Sequence, residues 1–216
     1  MSEGAIPVPR LVAWEVTRRC NLKCRHCRAS AGDCAVEGEL SLDEAKAVVD
    51  DIASFAKPVL ILTGGEPLMC EWVRDIIAYA RERGMTPAVG TNGTLVDELK
   101  KVLPHIDIVS MDVKPPSAAG ESLWARHRAF LAAAAEKDVY VKLVVTADLT
   151  EAELAETCRL IAEIRSDIPL ILQPVTPLGG CVSPKAETLL RMQEQALRVL
   201  RDVRLIPQAH GMMGIR

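Results

Sequence analysis

Short apolar runs alternate with amphipathic stretches along nearly the whole chain, and this pattern constrains the fold more than any other feature. LVAWEV (11–16), PVLIL (58–62), PAVGTN (87–92), IDIVSMDV (106–113), VYVKLVV (139–145) and PLILQPV (169–175) read as strands, with VRLI (203–206) as a closing one. Between them, Ala45, Val48, Val49, Ile52 and Phe55 recur at helical spacing behind a Ser41–Glu44 capping box. Trp72, Val73, Ile76, Ile77 and Ala80 form a second helical face that Gly84 ends. Residues 95–103 and a stretch within 121–136 read as helices. Thr150 and Glu153 open another helix, with Leu154, Cys158, Ile161 and Ile164 inward. Ser183 and Pro184 begin the last, with Ala186, Leu189, Leu190, Ala196, Leu197 and Leu200 on its core side. Roughly six strand–helix units imply an α/β fold with parallel strands, since fully apolar strands suit a sheet covered on its faces. An open doubly wound sheet and an incomplete barrel both satisfy the pattern. In either, functional residues belong at the C-terminal ends of the strands.

The chain has 216 residues, 49% hydrophobic and 25% charged, with a net charge of −3. One domain over 1–216 is expected. A nucleic-acid surface is not expected, because no basic excess exists to form one. No apolar run reaches membrane-spanning length, and MSEGAIPVPR lacks the apolar core of a signal peptide, so a cytoplasmic location is expected. In that reducing setting, metal binding or catalysis is a better use of cysteine than a disulfide framework.

The predicted post-strand segments carry unusual chemistry. The first strand runs into RRCNLKCRHC, the second into TGGEP (63–67), the third into TNGT (91–94), the fourth into DVKPPS (112–117) and the sixth into QPVTPLGG (173–180). Three of the seven cysteines, Cys20, Cys24 and Cys27, fall within eight residues. Thiolates suit iron–sulfur clusters, zinc or copper. A four-iron cluster usually takes four thiolates, so three would leave one iron open to a small molecule. The competing reading is a zinc site completed by Cys34 or a histidine. His26, between two of the cysteines, is badly placed to close a tetrahedron and better placed to stack on a ligand. Gly64 and Gly65 allow close backbone approach, and the Glu66 carboxylate suits an ammonium group. Cys158 and Cys70 read as packing residues, and Cys34 and Cys181 as free thiols in loops.

CxxxCxxC after a first strand and GGEP after a second strongly resemble the radical S-adenosylmethionine superfamily. The resemblance covers essentially the whole chain and implies a partial (β/α)6 TIM-like barrel. It implies that Cys20, Cys24 and Cys27 hold a [4Fe–4S] cluster whose open iron is chelated by S-adenosylmethionine. Gly64, Gly65 and Glu66 would then hold the cofactor's amino group and His26 would lie near its adenine. Thr91, Asn92, Lys114, Ser117 and Gln173 are the other cofactor-binding candidates, Lys114 and Ser117 for its carboxylate. The implied chemistry is hydrogen abstraction by a 5′-deoxyadenosyl radical, with no catalytic side chain beyond the cluster ligands.

WEVTRRCNLKCRHCRA with ILTGGEPL is similar to enzymes of haem and peptide-cofactor biosynthesis. No cysteine cluster follows position 27, which argues against the auxiliary-cluster domain those enzymes carry. TNGT, DVKPPS, VKLVV, LQPVTP and IPQAH resemble the 7-carboxy-7-deazaguanine synthase family, lyases of queuosine and deazapurine biosynthesis. That resemblance implies ring contraction of 6-carboxy-5,6,7,8-tetrahydropterin. It also implies partners: a small heterocyclic substrate and an electron donor such as flavodoxin or ferredoxin. No nucleic acid and no membrane are implied, and a homodimer is compatible. Substrate candidates are Arg18, Arg28, Gln208 and His210, with Arg19 and the C-terminal carboxylate of Arg216 as further suggestions. The chain departs from that family at several points. It lacks the Gln-Gly-Glu-Gly segment before the cluster. Val16 stands where a substrate-binding arginine is usual, and Gly211 where a lysine follows the histidine. The family also uses a magnesium ion, and Mg2+ stays a possible third cofactor here, although Arg28-Ala29 replace the Asp-Thr that bears on it. The alternative reading is a small radical enzyme that modifies a peptide or activates a glycyl-radical partner.

Overall fold

A computed structural model of the chain describes residues 8–34 and 37–208. Seven strands form one wholly parallel sheet: β1 (Leu11–Thr17), β2 (Val59–Gly64), β3 (Thr86–Thr91), β4 (Ile108–Val113), β5 (Asp138–Val145), β6 (Leu170–Pro174) and β7 (Val203–Leu205). They lie side by side in chain order, from β1 to β7. That order decides between the two architectures the sequence leaves open. A doubly wound sheet reverses direction once and places helices on both faces. Here every crossover steps the same way, so right-handed connections bring all helices to one face and leave the other as a lumen. Among the described residues β7 pairs only with β6 and β1 only with β2, so the barrel is partial.

The helices are α1 (Leu42–Phe55), α2 (Val73–Glu82), α3 (Val96–Val102), α4 (Pro116–Ala119), α5 (Trp124–Ala134), α6 (Glu151–Ile164) and α7 (Ala186–Leu197). Both expected capping boxes are formed, Ser41 with Glu44 and Thr150 with Glu153. Leu60, Leu62, Val89, Val109, Met111, Val113, Val141, Leu143 and Leu172 face the helices in one continuous core. Successive strand residues point to opposite faces. Thr63, Gly90, Asp112, Lys142, Val144 and Gln173 therefore face the lumen, where all six line a cleft.

Two expectations change. The last helix begins at Ala186 with Lys185 at its cap, two residues beyond the Ser183–Pro184 start. Its inner stripe is Leu189, Met192 and Ala196, with Leu200 buried just beyond its end, while Leu190 and Leu197 are about half exposed. These two leucines are each one residue, or 100°, out of phase with that stripe. Four-residue α4 was not expected, because it is too short to show a period. No helix among the described residues is long and apolar enough to cross a membrane.

Candidate active site

The loop after β1 is fixed before it does any chemistry. Cys20 N–H donates to the Gly32 carbonyl (2.7 Å) and Gly32 N–H to the Arg18 carbonyl (3.1 Å), closing a loop around all three cysteines. The GGE turn lies against its stem. Gly65 N–H donates to the Thr17 carbonyl (2.8 Å), and Glu66 N–H to that of Arg19 (2.7 Å). A Cβ on Gly64 would sit 2.3 Å from the Thr17 oxygen, and one on Gly65 2.3 Å from the Arg19 oxygen. The two glycines are thus required by the approach of one loop to another. With both N–H groups occupied, this turn has carbonyl oxygens to offer a ligand, which suits an ammonium group.

Cys20, Cys24 and Cys27 line the same cleft, of about 340 Å3. All seven cysteines are free thiols. Burial raises the pKa of Cys20, against a bond from Leu22 N–H. Burial raises that of Cys24 too, against the ammonium of Lys114, and the neighbouring thiols add to both shifts. Leu22 N–H reaches Cys20 Sγ at 3.4 Å, Ala31 N–H reaches Cys27 Sγ at 3.4 Å and Asn92 Nδ2 reaches Cys20 Sγ at 3.6 Å. Among the described residues, no three His, Cys, Asp or Glu side chains converge on a position for a single metal ion. Three thiols around one cleft, two of them met by N–H donors, fit a polynuclear cluster that takes one thiolate per iron, and no fourth cysteine lines the cleft.

Gly64, Gly65, Thr91, Asn92, Lys114, Gln173, His26, Arg28 and Gln208 join the cysteines in the cleft wall. His26 is buried, and among the described residues neither ring nitrogen has a protein partner. Burial lowers its pKa to about 4, with the Lys114 charge contributing, so the ring is neutral. A neutral aromatic ring with two orphaned nitrogens suits a stacked or hydrogen-bonded heterocycle. Lys114 Nζ lies 3.0 Å from Asp112 Oδ2. Arg28 pairs with Glu15 at 2.8 Å. Gln208 Oε1 accepts the Thr176 N–H at 2.8 Å, so its amide hydrogens are what remain for a ligand.

Three candidates lie elsewhere. Glu66 is fully buried and does not line the cleft. Its carboxylate accepts from Thr91 Oγ1 (2.8 Å), Asn92 N–H (2.7 Å) and Leu68 N–H (3.2 Å). It joins the loops after β2 and β3 instead of meeting an ammonium group. Burial drives its pKa up to about 7, against the pull of those bonds. Ser117 N–H is bound to Glu153 Oε1 at 2.7 Å, away from the cleft. The exposed Arg18 lines a separate groove with Glu37 and Glu39. Cys181 lies in a loop as expected but is buried between Val144 and Val175. Cys158 is buried in the core, as its helical spacing predicts. Val16 packs in the core too, so no cation stands at that position. His210 and Arg216 lie outside the described residues.

Sequence reasoning missed Asp112 and Lys142 as site residues. They stand opposite each other in register on β4 and β5, with Lys142 Nζ 2.7 Å from Asp112 Oδ1. Burial would raise the pKa of Asp112, but Lys114 and Lys142 outweigh it and hold the carboxyl well below its ordinary range. The signal was legible: a charge flanked by apolar residues inside each of two strands, MDV in β4 and VKL in β5. Also missed was His127, fully buried on α5, whose Nε2 lies 3.1 Å from the Asn92 carbonyl oxygen.

The sequence model of the Radical SAM superfamily matches residues 14–161. The chain is 35% identical to the 7-carboxy-7-deazaguanine synthase of Geobacter sulfurreducens, over 91% of this chain and 87% of that protein. It is 50% identical to the Fe-coproporphyrin III synthase of Methanosarcina barkeri, but over 47% of this chain and 27% of that protein. Streptococcus suis SuiB bound to S-adenosylmethionine shares the fold, with a TM-score of 0.70 at 14% identity, over 94% of this chain and 50% of SuiB. The three-cysteine cleft, the GGE turn and these matches agree: the chain belongs to the radical S-adenosylmethionine superfamily.

Proposed function

We propose that the protein is a carbon–nitrogen lyase that converts 6-carboxy-5,6,7,8-tetrahydropterin to 7-carboxy-7-deazaguanine with release of ammonia. The observation that carries this reading is similarity to one synthase along 91% of the chain, whereas the match of higher identity to a haem-type synthase stops at 47%. Bound together, a [4Fe–4S] cluster and S-adenosylmethionine would supply hydrogen-atom abstraction from the substrate.

The chain's own residues hold and orient. Cys20, Cys24 and Cys27 hold the cluster. The Gly64–Gly65 carbonyl edge takes the cofactor's amino group, Lys114 its carboxylate and His26 its adenine, while Thr91, Asn92 and Gln173 complete that wall. A flat heterocycle needs fixed donors and acceptors at its edge. Gln208, held through its oxygen, donates, and Arg28 meets the substrate carboxylate by exchanging Glu15 for it. The electron comes from a carrier of the flavodoxin or ferredoxin class. Arg28 is itself a cation beside the third cysteine, where the family has the Asp-Thr that bears on magnesium, which favours turnover without that ion.

The test is anaerobic reconstitution with iron and sulfide, then reductant, S-adenosylmethionine and the carboxypterin, with products read by mass. Deazaguanine in many-fold excess over cofactor consumed is expected, with or without a magnesium chelator. Cys24→Ala should give neither deazaguanine nor deoxyadenosine, and Cys158→Ala should give both. Deoxyadenosine with the pterin untouched would remove the substrate from this reading.

A further inference from the structure

The sequence contains two asparagines, Asn21 and Asn92, and both belong to one hydrogen-bonded ring with Thr94. Asn21 Nδ2 donates to Thr94 Oγ1 (2.9 Å), Thr94 Oγ1 donates to Asn92 Oδ1 (2.6 Å), and Asn92 Nδ2 donates to Asn21 Oδ1 (2.8 Å). Asn92 Oδ1 also accepts the Thr94 N–H at 3.1 Å. The ring fixes which way the Asn92 amide faces. Turned over, it would set NH2 against N–H and oxygen against oxygen. An amide nitrogen carries two hydrogens. One goes to Asn21, and the other meets Cys20 Sγ, 3.6 Å away.

The Asn92 backbone is pinned as firmly. Its N–H donates to Glu66 (2.7 Å), and its carbonyl lies 3.1 Å from His127 Nε2. A carbonyl only accepts, so His127 carries its hydrogen on Nε2. The three sulfurs are consequently unequal. Cys20 receives two N–H donors and Cys27 one, and among the described residues none reaches Cys24, which has the Lys114 ammonium nearby instead.

We propose that Asn92 sets the reduction potential of the cluster through its hydrogen bond to the Cys20 ligand, and that Asn21, Thr94 and His127 are positioning residues that hold it there. The step concerned is one-electron reduction of the oxidised cluster by a low-potential carrier. The electron adds one negative charge to the cluster and its thiolates. An N–H with its positive end toward sulfur stabilises that reduced state more than the oxidised one, so the potential rises. The inference rests on the cluster reading alone and is indifferent to the identity of the substrate.

The experiment is a redox titration followed by electron paramagnetic resonance on the reconstituted holoenzyme, with iron counted per chain. Asn92→Leu removes the donor while keeping the number and branching of the side chain's heavy atoms. Thr94→Val removes one of the two donors that hold the Asn92 oxygen, the hydroxyl at 2.6 Å, without touching sulfur, and so loosens the amide that faces Cys20. At a fixed solution potential, the ratio of reduced to oxidised cluster in Asn92→Leu is expected to fall about tenfold, a shift of about 59 mV for one electron. Thr94→Val should fall in the same direction. A wild-type potential in fully loaded Asn92→Leu overturns the proposal. If Asn92→Leu loads no iron, Thr94→Val decides, and an unchanged potential there overturns it equally.

Discussion

Glu66 shows how a residue chosen for one task can serve another. From the sequence it is an acid beside two glycines. In the fold it is a buried acceptor for three donors on two loops. The difference has a physical origin: a motif names the residue, but the side of the turn its carboxylate occupies depends on where the next strand's loop passes. The ionised form is costly, because burial lifts the pKa from an ordinary 4.5 to about 7. The folded pKa lies above the unfolded one. Glu66 therefore lends stability that is complete below the ordinary value and lost as pH rises through the folded one. Glu66→Gln puts an NH2 against a backbone N–H and is expected to cost about 1–3 kcal/mol near pH 5. Only the wild type then loses stability toward about pH 8, so the gap should narrow. Urea unfolding of the metal-free protein at both pH values measures it, and a constant gap would count against this account.

At the scale of elements, most of the fold was legible. Seven strands and two capping boxes could be read because apolar runs and Ser/Thr-x-x-Glu signals are local. What was illegible joins elements far apart in sequence. Ser117, expected at the cofactor, instead links α4 to α6. The Glu153 carboxylate that closes the α6 capping box through Thr150 also accepts the Ser117 N–H. The next residue, Ala118, accepts the Arg25 N–H from inside the cysteine loop at 3.1 Å. Glu153→Ala should therefore cost about 1–2 kcal/mol and free the cluster loop as well. Loss of iron to a chelator is expected to quicken about fivefold, the population change that 1 kcal/mol brings. Glu44→Ala removes the equivalent box from α1, where the carboxylate bonds only Ser41 among the described residues and Glu39 still holds the Arg18 N–H, and should cost similar stability with less gain in iron loss. Equal iron loss in the two variants would refute the connection.

For the whole molecule, strand order was the piece that no local pattern contains. An unbroken order of parallel strands separates an apolar layer beneath the helices from a polar lumen, and it makes Asp112 and Lys142 face each other across β4 and β5. The lumen's charges are shielded enough to matter to stability: the side chains of Asp112, Lys114 and Lys142 are 21%, 13% and 27% exposed. Asp112 is the one carboxylate between two ammonium groups. Asp112→Asn leaves those two cations together without it, and breaking such a buried pair costs about 3–5 kcal/mol. The pH dependence runs opposite to that of Glu66. The folded pKa of Asp112 is depressed by the two lysines, so its contribution is complete above the ordinary carboxyl value of 3.8 and is lost as pH falls below it. Between about pH 5 and pH 2 the wild type should lose stability steeply while Asp112→Asn, already weaker at neutrality, changes less. Urea midpoints across that window test this, and parallel curves would mean the lumen triad does not hold β4 to β5.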